Sequence, residues 1–327
     1  MAIKPPALPE NATIAVVAPA GPTRARSEIE QATTYFEARG HHVILGPNHR
    51  KVHGYLAGTD DERAADLQWA LTEPGIDMVH ALGGGYGTAR LHDRIDWSRL
   101  GEPRIVCGYS DITALHLALA AHVGWVSFYG PNFSRFTRRK DELSEETEGW
   151  FHRAFDPEPL GRVFEDPENP YVLTVGEGAA EGPLAGGCLT LLCSSLGTPY
   201  ELQTDGCVVM AEDLNTDPYL IDTALNQLIR AGKLERAAGF VLGTDVDLKP
   251  QTVPDEPEST LSIEEILDEL IAPLGIPAIA NVPIGHGKHM ATMPLGARVR
   301  LDGDAKTLEV LEAAVAPGPD QPRGGGQ

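Results

Sequence analysis

The chain has 327 residues, with 47 acidic against 26 basic side chains and a formal net charge of −21. That balance argues against a phosphate-tracking surface, and no apolar run is long enough to cross a bilayer, so neither nucleic acid nor membrane is an expected partner. Hydrophobic residues at 42% allow a large core and two domains of ordinary size.

The opening residues lack a basic segment followed by a long apolar one, so no secretory signal is expected. "TIAVVAPAG", Thr13 to Gly21, reads as a buried strand running into a loop. "SEIEQATTYFEARG" follows as a helix, with Ser27 and Glu30 spaced as a capping box, Ile29, Thr33 and Phe36 on one face, and Gly40 at its end. "HHVILG" is the next strand, and "TDDERAADLQWAL" repeats the helix device with Thr59 and Glu62. "IDMVHAL" is a strand leading to "GGGYGTARL"; "RIVCGY" is another, leading into a helix that starts around Ser110. Strands alternating with helices at such intervals predict an open, mostly parallel sheet.

"FDPEPLGRVFEDPENPYV", Phe155 to Val172, is rich in proline and acids and is expected to connect two domains. Beyond it, "EGPLAGGCLTLLCSSLGTPYEL" starts a second rhythm, and "CVVMAEDL" is a strand ending in acids. "TDPYLIDTALNQLIRAG" is a helix with Pro218 in its first turn and Gly232 past its end. "GFVLGTD" and "AIANVPIG" are strands, and "SIEEILDELIAPLG" is a helix capped by Ser262 and Glu265. "ARVRLDGDAKTLEVLE" reads as a hairpin turning at Asp302 to Asp304. The expected domains are 1–158 and 173–316, with a linker at 159–172 and a disordered tail at 317–327. Cys107, Cys188, Cys193 and Cys207 have no metal-finger spacing and read as buried thiols of a reducing compartment, which makes the cytoplasm the expected location.

Ser110 in "GYSDI" stands where a strand meets a helix, the place where an open α/β sheet gathers ligands. It either caps the helix or, as in a nucleophile elbow, exposes its hydroxyl for attack. The G-x-S-x-G pattern is incomplete, since Gly108 is present but Ile112 replaces the second glycine. A serine nucleophile needs a base, and the base needs an orienting group. His286 lies at a strand end between two glycines, whereas His41, His42, His116 and His122 fall within regular elements. Glu212 and Asp213, where a buried strand emerges, are candidate orienting acids. His286 and His289 have no third ligand at metal-site spacing, so no metal is expected. "GGGYGTAR" lacks the Walker lysine and does not satisfy G-x-G-x-x-G over Gly83, Gly85 and Thr88. Its exposed N–H groups suit an oxyanion at least as well as a phosphate.

Taken in order, "GYLAGTDDERAADL", "GGGYGTARL", "CGYSDITAL", "YGPN", "GGCLTLLCSSLGTPY", "AEDLNTDPYLIDTALNQL" and "PIGHGKHMATMPLGA" resemble the LD-carboxypeptidase family of serine peptidases, over about residues 12–313. That family includes murein tetrapeptide carboxypeptidases and microcin C immunity peptidases. The resemblance implies a flavodoxin-like, mostly parallel N-terminal α/β domain, a second, smaller mixed α/β domain, and a homodimer. It implies a Ser110–Glu212–His286 triad in a cleft between the domains, with the N–H groups of Asp111 and Gly85 as oxyanion hole and no cofactor. Gly84, Tyr86 and Lys288 are the implied substrate contacts, with Arg90 a further nearby cation. The implied substrate is a muropeptide losing a terminal D-alanine or, alternatively, a peptidyl- or aminoacyl-nucleotide antibiotic. A non-catalytic binding module would have no need of all three triad members. Two departures stand out: Gly83 replaces the arginine usual before Gly-Gly-Tyr-Gly in murein-cleaving members, and Cys188 replaces an asparagine.

Overall fold

The apolar runs of the first half assemble side by side. In the computed structural model, which describes residues 2–23, 25–137, 143–165, 172–244 and 261–317, the chain divides into two units. The first contains residues 1–160, 291–297 and 312–327, and the second contains 161–290 and 298–311. Part of the segment expected as linker is therefore a strand of the second unit, and residues 291–297 return to the first. The expected disordered tail, apart from Pro317, lies outside the described residues.

In the first unit, β1 (Thr13–Val17), β2 (His42–Leu45), β3 (Met78–Ala81), β4 (Ile105–Gly108) and β5 (Ser127–Tyr129) run parallel in the order 2-1-3-4-5. This is the flavodoxin-like order, with its switch point between β1 and β3. The later strand β12 (Met293–Leu295) adds antiparallel to β5. Helices α1 (Arg26–Glu37), α2 (Asp60–Thr72), α3 (Thr113–His122) and α4 (Glu145–Arg153) complete the unit. Leu67 and Leu71 of α2 pack with Val17, Val79, Val106, Leu115 and Leu119, all but sealed from solvent. Each such leucine contributes about 1.5–3 kcal/mol by burial. A separate cluster stacks Phe36 on Phe133 and His80 on Phe151, with Phe136 against both Phe36 and Phe151.

The Thr59/Glu62 capping box forms as the spacing predicts. The Ser27/Glu30 box does not: α1 begins two residues earlier, with Ala25 as its N-cap, so Ser27 is already helical. The Glu30 carboxylate instead accepts from Arg26 Nε at 2.7 Å, one turn back.

The second unit is a mixed sheet in the order β6-β14-β13-β8-β9-β10-β11-β7. These strands are β6 (Gly161–Glu165), β7 (Leu173–Gly176), β8 (Ala179–Cys188), β9 (Val208–Glu212), β10 (Gly239–Gly243), β11 (Ala278–Val282), β13 (Arg298–Asp302) and β14 (Thr307–Val310). β8 to β11 are parallel neighbours, and the remaining pairings are antiparallel, including the expected β13–β14 hairpin. Helices α5 (Leu189–Ser195), α6 (Pro218–Arg230) and α7 (Ile263–Leu270) complete it. The Ser262/Glu265 box forms, Pro218 opens α6, and Gly232 follows its end at φ +71°. All four cysteines are free; Cys107 and Cys188 are buried as expected, whereas Cys193 and Cys207 are only half-buried.

Candidate active site

Ser110 follows β4 and opens a single 3₁₀ turn, Ser110–Ile112, that leads into α3. Its φ is +65°, in the left-handed region that L residues other than glycine seldom adopt. Ser110 occupies neither N-cap position, since Tyr109 precedes the 3₁₀ turn and Ile112 precedes α3 in those places. Such a conformation costs about 1–3 kcal/mol and persists only where the surroundings over-determine it. Two residues of "YGPN" do so here. The Ser110 N–H donates to the buried Tyr129 hydroxyl at 3.0 Å, and the Tyr109 N–H donates to Asn132 Oδ1 at 3.1 Å. Gly108 is needed as well, because a Cβ there would sit 3.0 Å from both Asn132 Oδ1 and Ile112 Cγ1.

The glycine-rich loop after β3 runs past this turn. A Cβ on Gly84 would lie 3.0 Å from Ser110 Cβ and 3.2 Å from its Oγ, so the bare Gly84 Cα forms the wall beside the hydroxyl. The loop is held at both ends. Gly84 O accepts from Gly21 N–H at 3.1 Å, and the Thr88 N–H donates to the Asp111 carboxylate at 2.8 Å. Arg63, fully buried in α2, donates to the Gly87 carbonyl at 2.9 Å, to the Pro19 carbonyl, and to Asp60 at 2.6 Å. Burial pushes the Asp111 carboxyl above its ordinary range, against the opposing pull of Thr88 and Arg63. Loops after β1 and β3 thus meet at the switch point, where ligands of such sheets collect.

In the second unit, Glu212 ends β9 and His286 follows β11, two strands away in the same parallel set. Glu212 is fully buried and its Oε2 lies 2.6 Å from His286 Nδ1; the same oxygen accepts the His286 backbone N–H at 3.2 Å. A carboxylate accepts only, so Nδ1 carries the proton of the neutral ring and Nε2 keeps its lone pair. Gly243 and Gly285 leave room for this carboxylate: a Cβ on Gly243 would lie 2.9 Å from Glu212 Cβ, and one on Gly285 would overlie Oε2. Asp213, the other candidate acid, is committed elsewhere. Its Oδ2 accepts from Thr190 N–H at 3.0 Å and Thr190 Oγ1 at 2.6 Å, closing the first turn of α5.

Tyr86 is 70% exposed and packs edge-on against Tyr55, with ring centroids 6.0 Å apart. Lys288 is exposed two residues beyond His286. Arg90 is held by Asp60 at 2.9 Å. His116, set aside as a catalytic base, is buried between Ser127 Oγ and the Gly108 carbonyl, and burial lowers it to about 4. Sequence reading missed Tyr129, Asn132 and Arg63 as supports of the turn and the glycine loop; "YGPN" and "TDDER" were visible only as motifs. No cluster of three metal-ligating side chains occurs among the described residues.

Comparison with known proteins gives the family and the fold. Residues 14–130 match the family model for the LD-carboxypeptidase N-terminal domain, and residues 181–301 match that for the C-terminal domain. The chain is 38% identical to a probable murein peptide carboxypeptidase of Bacillus subtilis (strain 168), over 96% of each chain. It is similar to the crystal structure of a muramoyltetrapeptide carboxypeptidase from Oxalobacter formigenes, with TM-score 0.78 and 31% identity over 91% of this chain and 97% of that one. An MccF-like protein from Bacillus anthracis str. Ames shares the fold with TM-score 0.84 at 23% identity, covering 94% of this chain and 99% of that one.

Proposed function

The chain belongs to the LD-carboxypeptidase family, and from that premise we propose that it cleaves the bond between an L-centred diamino acid and a terminal D-alanine in muropeptides, through Ser110, His286 and Glu212. Ser110 Oγ attacks the amide carbonyl while His286 Nε2 takes its proton. The N–H groups of Asp111 and Gly85 receive the oxyanion. His286 then returns the proton to the departing D-alanine amine, leaving an acyl-serine that water, activated by the same imidazole, hydrolyses. Glu212 holds the ring in the working tautomer and stabilises the imidazolium; its complete burial strengthens that interaction.

The observation that carries this reading is the 2.6 Å contact between His286 Nδ1 and a sealed carboxylate. The strained, braced Ser110 supports it independently. Gly84 and Tyr86 line the acyl side, and Lys288 supplies a cation for the substrate's terminal carboxylate. We assign the enzyme to the cytoplasm, as a homodimer; among the described residues no helix is long and apolar enough to cross a membrane.

The test is D-alanine release from a muropeptide tetrapeptide by the wild type and by Ser110→Ala. Release by the wild type alone supports the proposal, and equal release by both overturns it. Gly83, which stands where murein-cleaving members usually carry arginine, favours a second reading, hydrolysis of a peptidyl- or aminoacyl-nucleotide. Cleavage of an aminoacyl sulfamoyl adenosine in preference to the tetrapeptide would establish that one.

A further inference from the structure

Asn132 is only 3% exposed, and just one end of its amide is engaged. A backbone N–H needs an acceptor, so the atom facing Tyr109 N–H at 3.1 Å must be the carbonyl Oδ1. This fixes the amide's orientation and turns Nδ2, with its two N–H donors, the other way. Nδ2 donates to no atom among the described residues, yet it is not one of their sealed, unpartnered buried atoms. Leaving a donor unmet beside a core is costly unless something else supplies the acceptor.

The position of Nδ2 relative to Ser110 bears on what that acceptor is. The point where Gly84 lacks its Cβ lies 3.2 Å from Ser110 Oγ and 3.6 Å from Asn132 Nδ2, and of the three nearest atoms the third is Ser110 Cβ. The hydroxyl and the amide donor therefore flank one small space that only a glycine leaves open.

We propose that Asn132 is a further catalytic residue, whose Nδ2–H donates to the oxygen of the acyl group attacked by Ser110, as a side-chain partner of the two backbone donors. The inference rests on the Ser110 nucleophile of the preceding section. It gives the Oδ1 contact a second purpose: the bond that braces the elbow also aims the donor. The amide is held before substrate arrives, so it need not reorganise as charge develops, and its effect falls on turnover more than on binding.

Asn132→Asp tests this, because it keeps the acceptor for Tyr109 N–H and the side-chain volume while removing both donors. Two rates are read on the purified full chain: D-alanine release from a muropeptide tetrapeptide, and labelling of Ser110 by a fluorophosphonate, whose phosphoryl oxygen occupies the same place. The expected result is a fall of about 10²–10³ in kcat and in the labelling rate, with KM within about threefold of the wild type. A kcat within about threefold of the wild type, a loss confined to KM, or an unchanged labelling rate overturns the assignment. Should the aspartate unfold the chain, Asn132→Ala is read by the same criteria against Tyr129→Phe, which loosens the elbow but leaves Nδ2 in place. Matching losses in those two variants overturn the donor role. A wild type that neither releases D-alanine nor is labelled removes the parent reading and this one with it, whereas an active wild type beside an equally active Asn132→Asp removes only this one.

Discussion

Gly285→Ala probes the carboxylate–imidazole pair without substituting either partner. Gly285 has φ +94°, and an added Cβ would overlie Glu212 Oε2 and come within 2.5 Å of its Cγ and Cδ. Two penalties follow. Holding alanine in a left-handed conformation costs about 1–2 kcal/mol. The collision then forces the carboxylate to turn, breaking the 2.6 Å bond to His286 Nδ1 and the 3.2 Å bond to its backbone N–H. A buried carboxylate stripped of its partner costs about 3–5 kcal/mol more. Gly275→Ala isolates the first penalty: its φ is +66°, and nothing lies within 4 Å of an added Cβ. Gly275→Ala is expected to lower the unfolding free energy modestly and leave turnover intact. Gly285→Ala should lower kcat by about 10⁴, the scale of losing the oriented tautomer in a triad. Urea unfolding and D-alanine release, measured on both variants, give the two numbers. If Gly285→Ala matches Gly275→Ala in both, Glu212 has no orienting role and the triad assignment fails.

Ser110→Ala and His286→Ala should each nearly abolish turnover, and the double variant should lose less than about tenfold beyond either, since triad members act as a unit; multiplicative losses in steady-state kinetics would count against it. Gly84→Ala puts a methyl 3.0 Å from Ser110 Cβ, and this displacement should lower kcat by about 10–10² while circular dichroism stays unchanged. Acid stability should follow His80 and His116, which burial lowers from 6.5 to about 4. Both rings are neutral in the folded chain, so below pH 6.5 the unfolded chain binds more protons. Stability is then full above pH 6.5 and falls as pH drops toward 4, by about 3 kcal/mol for each ring, at about 1.4 kcal/mol per pH unit. His80→Phe, in a site already lined by Phe36, Phe133, Phe136 and Phe151, should remove roughly half of that slope in urea titrations from pH 7 to 4.5.

Much of the fold could be read locally because its signals are local. The Thr59/Glu62 and Ser262/Glu265 boxes each need only four consecutive residues, and both form. Pro218 and Gly232 bracket α6 for the same reason. The Ser27/Glu30 box has the right spacing and does not form, because the helix starts at Arg26 with Ala25 as its N-cap and Ser27 lies inside it. β6 and β12 were not legible. Each gets its ladder from a strand distant in sequence, β14 and β5 respectively, and neither carries a hydrophobic pattern strong enough to announce itself. The return of residues 291–297 to the first unit follows from that same pairing with β5.

At the proposed site, candidate residues were legible in the sequence and their conformation was not. Ser110, Glu212 and His286 could be singled out because each stands at a strand end beside glycine or acid, yet nothing in "GYSDI" announces φ +65°. Serine has no intrinsic preference for that region, and a local reading favours a helix cap. The conformation is imposed from 19 residues downstream by the Tyr129 hydroxyl and from Asn132, whose bond to Tyr109 spans 23 positions. A place where local preference is overruled by distant, buried hydrogen bonds is where strain is being kept for a purpose. The turn carries its hydroxyl past the bare Gly84 Cα, and Tyr129 and Asn132 are the residues that hold it there.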